Sequence, residues 1–359
     1  MPPKLTLKGS PREIGLQHGR SLRPQILSQL DVYKEMFEHT ANMTWPTVRE
    51  IAEEFRATCQ TLVPDIYAEM QGIADGAGLD VLDILALNCR SEIALGSFSD
   101  ACTSLSWNKD DGATVLAQNW DWTRMVRENL ALVNIESPGK PGVYMVTEAG
   151  IVGKIGFNTA GVGVCLNAIR AKSCDSSKLP IHLALRVFLE STSVENALQT
   201  FSSFGGVASA QHILLADSKT ALGLELSPLG DVHLMEDEFG MVTHTNHFLE
   251  NRYIDETPWI PGSPIRLDRV RQLARDLARS GIKGEKITPA LLRGRIFSDM
   301  ENAPKSICAQ EDPSSHRTVR SCSLFNIVMD LGLPNPSAEV VMIQPGAGME
   351  DSVMTMPWV

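Results

Sequence analysis

The spacing of apolar residues along this chain first changes close to residue 101. From residue 11 to residue 96 they recur every three or four positions, which is the period of an amphipathic helix. After that point short segments alternate apolar and polar residues, as half-buried strands do, and an Asp-Gly turn at 111–112 predicts a hairpin between the first two. Helical patterns return at 179–190, 193–205, 263–281 and 288–299. This order predicts an α+β fold with helices layered on packed antiparallel sheets.

Two of these helices carry further detail. Ser193 is a good N-cap for the helix that follows it, because its hydroxyl can accept a hydrogen bond from a backbone N–H of the first turn. The helix at 263–281 is amphipathic, and its many arginines predict a basic, solvent-facing side.

Composition limits the classes of function. The chain has 359 residues, of which 43% are hydrophobic, so it can bury a large core. Its formal net charge is −11 and it has no dense run of Lys and Arg, which argues against nucleic acid or an anionic membrane as a partner. The sequence has no signal-peptide pattern, no membrane-spanning run and no C-terminal SKL, so we expect a cytoplasmic protein. Its seven cysteines include no CxxC pair, which predicts thiols without disulfides or zinc.

One of those cysteines, Cys102, begins the first predicted strand. A cysteine at such a position is usually structural, and its neighbours are what suggest chemistry. The sequence QNWDW ends the next strand, and the hairpin would bring Asp121 or Asn119 beside Cys102, across a ladder of about 4.7 to 4.9 Å. In HTNH, at 244–247, Asn246 follows a strand, where a turn or cap role competes with an oxyanion-binding role. The two histidines have no acidic or cysteine partner at a useful spacing, so we expect no metal site.

Together these pieces resemble a family. The chain is similar to the fungal acyl-coenzyme A:6-aminopenicillanate acyltransferases, also called isopenicillin N acyltransferases, which are Ntn hydrolases whose nucleophile becomes an N-terminus by self-cleavage. The resemblance runs in order through PREIGLQHG at 11–19, ACTS at 101–104, QNWDW at 118–122, TEAGIVGKIGFNTAGVGVCLNA at 147–168, HLALRVFLESTS at 182–193, GLELSP at 223–228, HTNH at 244–247 and LFNIVMDL at 324–331. It implies an αββα Ntn-type sandwich preceded by a helical segment.

The resemblance also implies roles for individual residues. Cleavage between Ala101 and Cys102 would give Cys102 a free α-amine, which can act as the general base for its own thiol. Asp121 would orient that amine and match its charge, and the backbone N–H of Asn246 would donate to the tetrahedral oxyanion. A competing arrangement, in which His244 or His247 serves as the base with Asp121 behind it, stays open at this point.

The chain departs from the family at two positions. Ala101 stands where the family usually has Gly, and its Cβ disfavours the positive-φ conformations that help to strain a scissile bond. Ala309 stands where the family has an arginine near the active site, so Arg317 or Arg320 in the following loop is a candidate replacement. Three further candidates for substrate binding lie within the resembling blocks: Asn119, Glu148 and Asn167.

The sequence therefore predicts a precursor. Residues 1–101 would form a helical small chain that remains as a partner after cleavage, and 102–359 would form the catalytic part. The expected reaction is acyl transfer or hydrolysis through a Cys102 thioester, on a peptide-derived or secondary-metabolite amide, with acyl-CoA as a candidate donor and no bound cofactor. Two alternatives stay open: an N-acyl-amide hydrolase without acyl-CoA use, and an inactive relative that binds a ligand, which Ala101 and Ala309 motivate.

Overall fold

The structure is a computed structural model that describes residues 1–98, 101–109, 113–256, 258–344 and 348–358, without the side chains of 348, 350 and 351. The predicted Asp-Gly turn at 111–112 lies outside the described residues. The strands are β1 Lys4–Lys8, β2 Ala101–Asn108, β3 Thr114–Thr123, β4 Leu130–Glu136, β5 Val143–Glu148, β6 Ile155–Asn158, β7 Gly163–Ala168, β8 Gln211–Ala216, β9 Ala221–Leu226, β10 Val232–Leu234, β11 Met241–His244, β12 Ser321–Asp330, β13 Ser337–Gln344 and β14 Gly348–Met356. The α-helices are α1 Pro11–Ser21, α2 Arg23–Ala41, α3 Trp45–Glu53, α4 Arg56–Leu62, α5 Pro64–Ala77, α6 Val81–Asn88, α7 Arg90–Ala94, α8 Ile181–Leu189, α9 Val194–Ser203, α10 Ser263–Arg279 and α11 Pro289–Leu292.

The strands form two sheets. The eight-stranded sheet has the order β1-β4-β5-β6-β7-β8-β9-β10, and the six-stranded sheet has the order β11-β2-β3-β12-β13-β14. Strand β1 runs parallel to β4, and the other pairings in both sheets are antiparallel. The predicted hairpin is confirmed, because β2 pairs directly with β3.

The two sheets pack face to face, with helices on both outer surfaces. Apolar residues of both sheets share the central core, for example Trp120 of β3 and Val164 of β7. Helices α8 and α9 cover the eight-stranded sheet. Helix α10 packs Val270 and Ala274 against Leu105 of β2, on the outer face of the six-stranded sheet. This is the predicted α+β fold with αββα layers.

The N-terminal hundred residues are helical as predicted, except for β1. That strand was missed because it has only five residues and its stability comes from parallel pairing with β4, more than 120 residues away, which no local pattern encodes. The segment is not a separate domain: β1 completes the eight-stranded sheet, Ala101 already belongs to β2, and buried Glu69 of α5 forms a two-pronged ion pair with Arg186 of α8. Residues on both sides of position 101 therefore build one core.

Local signals in the sequence account for several helix positions. The predicted N-cap is confirmed, because Ser193 Oγ accepts a hydrogen bond from the backbone N–H of Asn196 at 3.1 Å. Helices α1 and α5 cross so closely that a Cβ on Gly15 would lie 2.0 Å from the carbonyl oxygen of Glu69. Glycine is needed at that crossing because only backbone fits there. No helix in the described ranges is long and apolar enough to cross a membrane.

Candidate active site

The peptide bond between Ala101 and Cys102 lies at the start of β2. Ala101 is opposite Asp121 of β3, and Cys102 is opposite Trp120. Since residues directly opposite each other share a face of a sheet, Ala101 and Asp121 face α10, whereas Cys102 and Trp120 face the space between the sheets. Cys102 is buried, at 1% relative exposure, and no disulfide links it to any of the other cysteines. The predicted hairpin thus places Asp121 opposite Ala101, one residue before Cys102, and Asn119 opposite Thr103.

Asn246 lies beside Cys102, also as the sequence predicts. Strand β11 pairs with β2 and ends at His244, and the chain then turns so that Asn246 Oδ1 accepts the backbone N–H of Cys102 at 2.8 Å. The amide Nδ2 of Asn246 donates to the carbonyl of Ala168 at 3.0 Å. The predicted donor to an oxyanion, the backbone N–H of Asn246, is instead occupied, because it donates to Ser263 Oγ at 2.7 Å. The side chain of Asn246, not its backbone, makes the contact with the cysteine.

A residue that sequence reasoning missed, Arg266, completes this cluster. Its guanidinium donates to the carbonyl of Cys102, to Thr103 Oγ1 at 3.1 Å and to Asn246 Oδ1 at 2.9 Å. It is buried, so the prediction that the arginines of this helix face solvent is wrong at this position. The spacing of residues in the sequence could have indicated this burial, because Arg266 shares the buried side of α10 with Ser263, Leu267 and Val270.

Asp121 is fully buried, and one of its two carboxylate oxygens accepts a hydrogen bond. Ser323 Oγ donates to Asp121 Oδ1 at 2.5 Å, and Ser323 Oγ in turn accepts the backbone N–H of Ala309 at 2.8 Å. Within the described part of the chain, Asp121 Oδ2 has no hydrogen-bond partner. Burial raises the pKa of Asp121 to about 7, and the charge of Arg266 and the hydrogen bond from Ser323 oppose that rise. The unpartnered oxygen can accept a hydrogen bond from one further donor.

Ala101 takes ordinary strand geometry. Three residues other than glycine have positive φ in the described ranges, and Ala101 is not one of them. The Cβ of alanine therefore fits the uncleaved conformation without backbone strain at this residue.

A cavity of about 240 Å³ opens beside Ala101. Its lining includes Ala309, where the resemblance expects an arginine. Four cationic side chains also line it, against the single carboxylate of Asp312: Arg170, Arg266, Lys305 and Arg320. The cavity is therefore suited to a substrate that carries negative charge.

The two candidate replacements for the family arginine lie in different places. Arg320 lines the cavity, with its guanidinium held by the carbonyls of Pro313 at 2.9 Å and Ser315 at 3.0 Å. Arg317 does not line it: its exposed side chain forms a two-pronged ion pair with Glu35 of α2. The prediction for Arg317 is therefore wrong, because a surface carboxylate far away in sequence holds it outside the cavity.

Asn119 and Glu148 are structural. The Asn119 amide donates to the carbonyls of Phe297 at 2.8 Å and Ile307 at 2.9 Å, and its oxygen accepts from Asn326 at 2.9 Å. Its hydrogen-bonding capacity is thus used within the protein, and the predicted substrate contact is wrong.

Glu148 sits at the centre of a buried charged cluster. Its carboxylate accepts from Tyr33 at 2.6 Å, from Arg90 at 2.8 Å and from Lys154 at 2.9 Å, and also from Gln29. The cations of Arg90 and Lys154 hold the pKa of Glu148 well below its usual range despite burial. The predicted substrate role is wrong here too, because these donors surround the carboxylate and tie the N-terminal helices to the catalytic sheets.

Asn167, His244 and His247 make hydrogen bonds within the protein close to the site. Asn167 Oδ1 accepts from Ser104 at 2.7 Å and lies 3.0 Å from His212 Nδ1, so it braces β2 and does not line the cavity beside Ala101. Both ring nitrogens of His244 are engaged, with the carbonyl of Thr245 at 2.8 Å and Glu225 at 2.9 Å. His247 Nδ1 contacts Ser263 Oγ at 2.8 Å. These contacts do not favour a histidine as the base for Cys102.

The described residues contain no group of three or more His, Cys, Asp or Glu side chains that could hold a metal ion. The side chains around Cys102 are thus an amide, a carboxylate, a hydroxyl and a guanidinium. Such groups can position a thiol, stabilise charge and hold a proton.

Comparison with known proteins places the chain in a family. The family described as acyl-coenzyme A:6-aminopenicillanic acid acyl-transferase matches residues 107–329. A curated relative, the acyl-coenzyme A:6-aminopenicillanic-acid-acyltransferase 40 kDa form of Emericella nidulans, is 35% identical over 353 residues, which cover 94% of this chain and 95% of the relative. The chain belongs to this acyltransferase family. This is the acyltransferase family to which the sequence blocks above are similar.

Two solved structures are similar at lower identity. A mutant of the conjugated bile acid hydrolase from Clostridium perfringens has a TM-score of 0.45 and 12% identity, and the match covers 71% of this chain and 92% of the other. Penicillin V acylase from Agrobacterium tumefaciens has a TM-score of 0.44 and 16% identity, over 68% of this chain and 84% of the other.

Proposed function

We propose that this acyltransferase-family member cleaves its own chain between Ala101 and Cys102 and then transfers acyl groups through a Cys102 thioester. One observation carries the proposal: the backbone on both sides of Cys102 is fixed, by Asn246 at its N–H and by Arg266 at its carbonyl. Strand β11 pairs with residues 104–107 of β2, whereas at Cys102 two buried polar side chains take the place of a strand partner. A scissile bond must be held in one geometry to react, and these side chains can hold it.

Self-cleavage would proceed in two steps. The Cys102 thiolate attacks the carbonyl carbon of Ala101, the C–N bond to Cys102 breaks, and the nitrogen takes up a proton to become the α-amine. Residue 101 is then bound to the sulfur as a thioester, which water hydrolyses to a carboxylate and a thiol. The positive charge of Arg266, close enough to interact with both Cys102 and Asp121, would favour the thiolate that starts the sequence.

After cleavage, two polar side chains would lie close to the new α-amine of Cys102. Asn246 Oδ1 already accepts from that nitrogen, and Asp121, opposite residue 101, carries the buried oxygen without a partner. An ammonium beside Asp121 would lower the pKa of the carboxyl from about 7 and keep it charged. The free amine would take the proton of the Cys102 thiol as substrate binds, and this transfer forms the ammonium together with the thiolate.

The mature site would exchange acyl groups. With acyl-CoA as donor, the Cys102 thiolate displaces CoA to form an acyl-thioester, and an amine acceptor then takes the acyl group and regenerates the thiol. The names of the matching family and of the Emericella nidulans relative support acyl-CoA as the donor. The cationic cavity beside Ala101 supports an acceptor that carries a carboxylate, such as a peptide-derived or secondary-metabolite amine, with Arg320 in place of the family arginine lost at Ala309.

Two alternatives predict different products. Water competes with the amine for the same thioester, so a plain N-acyl-amide hydrolase would release acid and would not use acyl-CoA. An inactive relative would show a Cys102 thiol no more reactive toward a labelling reagent than that of Cys59 or Cys165.

Intact mass spectrometry of freshly purified protein tests the cleavage step. We expect two chains, 1–101 and 102–359, and a single uncut chain for Cys102→Ala. Cys165→Ala is the matched control, because it removes a different buried thiol and should leave processing unchanged. Cleavage that persists in Cys102→Ala would assign the cut to an outside protease and end the autocatalytic proposal.

A further inference from the structure

A second and larger cavity, of about 610 Å³, lies next to the one beside Ala101. The segment 259–261 separates the two, because Trp259 lines the larger cavity while Ile260 and Pro261 line the smaller one. We call the larger cavity the arginine groove. Its basic side chains are Arg252, Arg271, Arg275, His233 and His247, against two carboxylates, Asp237 and Glu250. Burial lowers the pKa of His247 to about 4, so the arginines supply the positive charge, and one of them, Arg275, is paired with Asp237 at 3.2 Å.

Two of these arginines interact with carboxylates only at longer range, Arg271 with Asp268 and Asp237 and Arg252 with Glu256, and form no direct ion pair in the described residues. Arg271 is half-buried, its Nε donates to Thr243 Oγ1 at 3.1 Å, and its terminal nitrogens have no partner among the residues that the structure describes. Arg252 donates to backbone carbonyls, of Asn251 at 3.0 Å and of Leu249 at 2.7 Å, and pairs with no acid in the same described residues. Burial and the charge of neighbouring Arg275 lower the pKa of Arg271. A bound anion would relieve this crowding of positive charge.

An aromatic surface adjoins these cations. Trp259 is 51% exposed, and its ring lies 4.9 Å from that of His247, centre to centre. A large exposed indole beside guanidinium groups offers a stacking surface for a flat ring and charged donors for phosphate oxygens. An aliphatic ligand would use neither feature, whereas a nucleotide uses both.

The groove is directly connected to the cysteine site. Ser263 Oγ contacts His247 Nδ1 at 2.8 Å on the groove side and accepts the N–H of Asn246 at 2.7 Å. Asn246 in turn accepts the N–H of Cys102. Because only the 259–261 segment separates the two cavities, a long ligand with its phosphates in the groove could reach the cavity beside Ala101.

We propose that the arginine groove binds the nucleotide end of acyl-CoA, with Arg271 and Arg252 on its phosphates and Trp259 against its adenine. The assignment rests on the proposed function, in which acyl-CoA is the donor. The flexible pantetheine arm would then carry the thioester across the 259–261 segment to the Cys102 sulfur.

Binding of adenosine 3′,5′-bisphosphate and of CoA tests this directly, by calorimetry and by quenching of tryptophan fluorescence. We expect Arg271→Ala to weaken both by about tenfold or more, because charge-assisted contacts to phosphate are among the stronger hydrogen bonds. The matched control is Arg269→Ala on the same helix, whose guanidinium is already paired with Asp299 at 2.7 Å and does not line the groove. Trp259→Phe should remove most of the quenching.

Three outcomes would overturn the assignment: no binding of either ligand to the wild-type protein at millimolar concentration, equal weakening by Arg269→Ala, or inorganic pyrophosphate binding as tightly as the nucleotide. Because these measurements need no chemistry at Cys102, they stand even if processing fails. Conversely, turnover of an N-acetylcysteamine thioester, which lacks the nucleotide, tests the Cys102 chemistry alone. Arg271→Ala should raise KM for acyl-CoA and leave that for the short thioester unchanged.

Discussion

Replacing Asp121 by Asn should stabilise the folded protein at pH 8 while it removes activity. Asp121 is fully buried, one of its oxygens has no hydrogen-bond partner in the described part of the chain, and burial raises its pKa to about 7. A carboxylate held in this way destabilises the fold whenever it is ionised. Its retention in the chain is then explained by the chemistry proposed at Cys102 and not by stability.

The size of the effect follows from the pKa. A rise from 3.8 to about 7 corresponds to about 4 kcal/mol, at about 1.36 kcal/mol per pH unit. Because the folded pKa of this acid is above the unfolded one, the native state binds the extra proton, so stability is fully present below pH ~4 and is lost as the pH rises to ~7. The Asn amide would leave one buried donor unsatisfied, at a cost of about 1–3 kcal/mol. The net gain at pH 8 is therefore about 2 kcal/mol.

Urea denaturation at pH 5 and pH 8 measures this difference, in a Cys102→Ala background so that every sample is the same uncut chain. The amide cost is the same at both pH values and cancels. The stability gain from Asp121→Asn should therefore be larger at pH 8 than at pH 5 by about 2 to 3 kcal/mol. Glu128→Gln, at an exposed carboxylate, is the control and should change stability little at either pH. A gain that does not depend on pH would refute the assignment of a neutral, buried Asp121.

Two further predictions concern the charged cluster around Glu148 and the hold of Asn246 on Cys102. Glu148→Gln should destabilise the protein by about 3–5 kcal/mol in urea denaturation, because it leaves the buried cations of Arg90 and Lys154 without their carboxylate. Since the pKa of Glu148 is lowered in the folded state, its stabilising contribution is present above pH ~4.3 and is lost at lower pH. A loss of less than about 1 kcal/mol at pH 7 would contradict this prediction. Asn246→Ala should lower kcat by about 10² or more with little change in KM, because it removes the acceptor that holds the nitrogen of Cys102 in place. A raised KM at constant kcat would instead make Asn246 a substrate-binding residue.

Local patterns carry much of what could be predicted from the sequence. The change from helical to strand spacing near residue 101 placed Cys102 at the start of β2, and the adjacent hairpin placed Asp121 across from the scissile peptide. Both are short-range consequences of alternation and of antiparallel pairing, so the order of residues is sufficient to predict them. The position of Asn246 beside Cys102 came from resemblance to a family and not from its spacing.

Tertiary packing decided the rest. Arg266 could be assigned to an amphipathic helix, but only the docking of α10 on β2 turned it toward Cys102. Glu148 and Arg317 are both charged residues whose sequence context does not distinguish them. In the structure Glu148 is buried among cations, whereas Arg317 is exposed and paired with Glu35. Most partners of these three residues are more than fifty positions away in the chain, the exceptions being Lys154 for Glu148 and Asn246 for Arg266. A polar side chain has the same local pattern whether it meets water, a substrate or a distant charge, so its role is fixed only when the fold brings its partner to it.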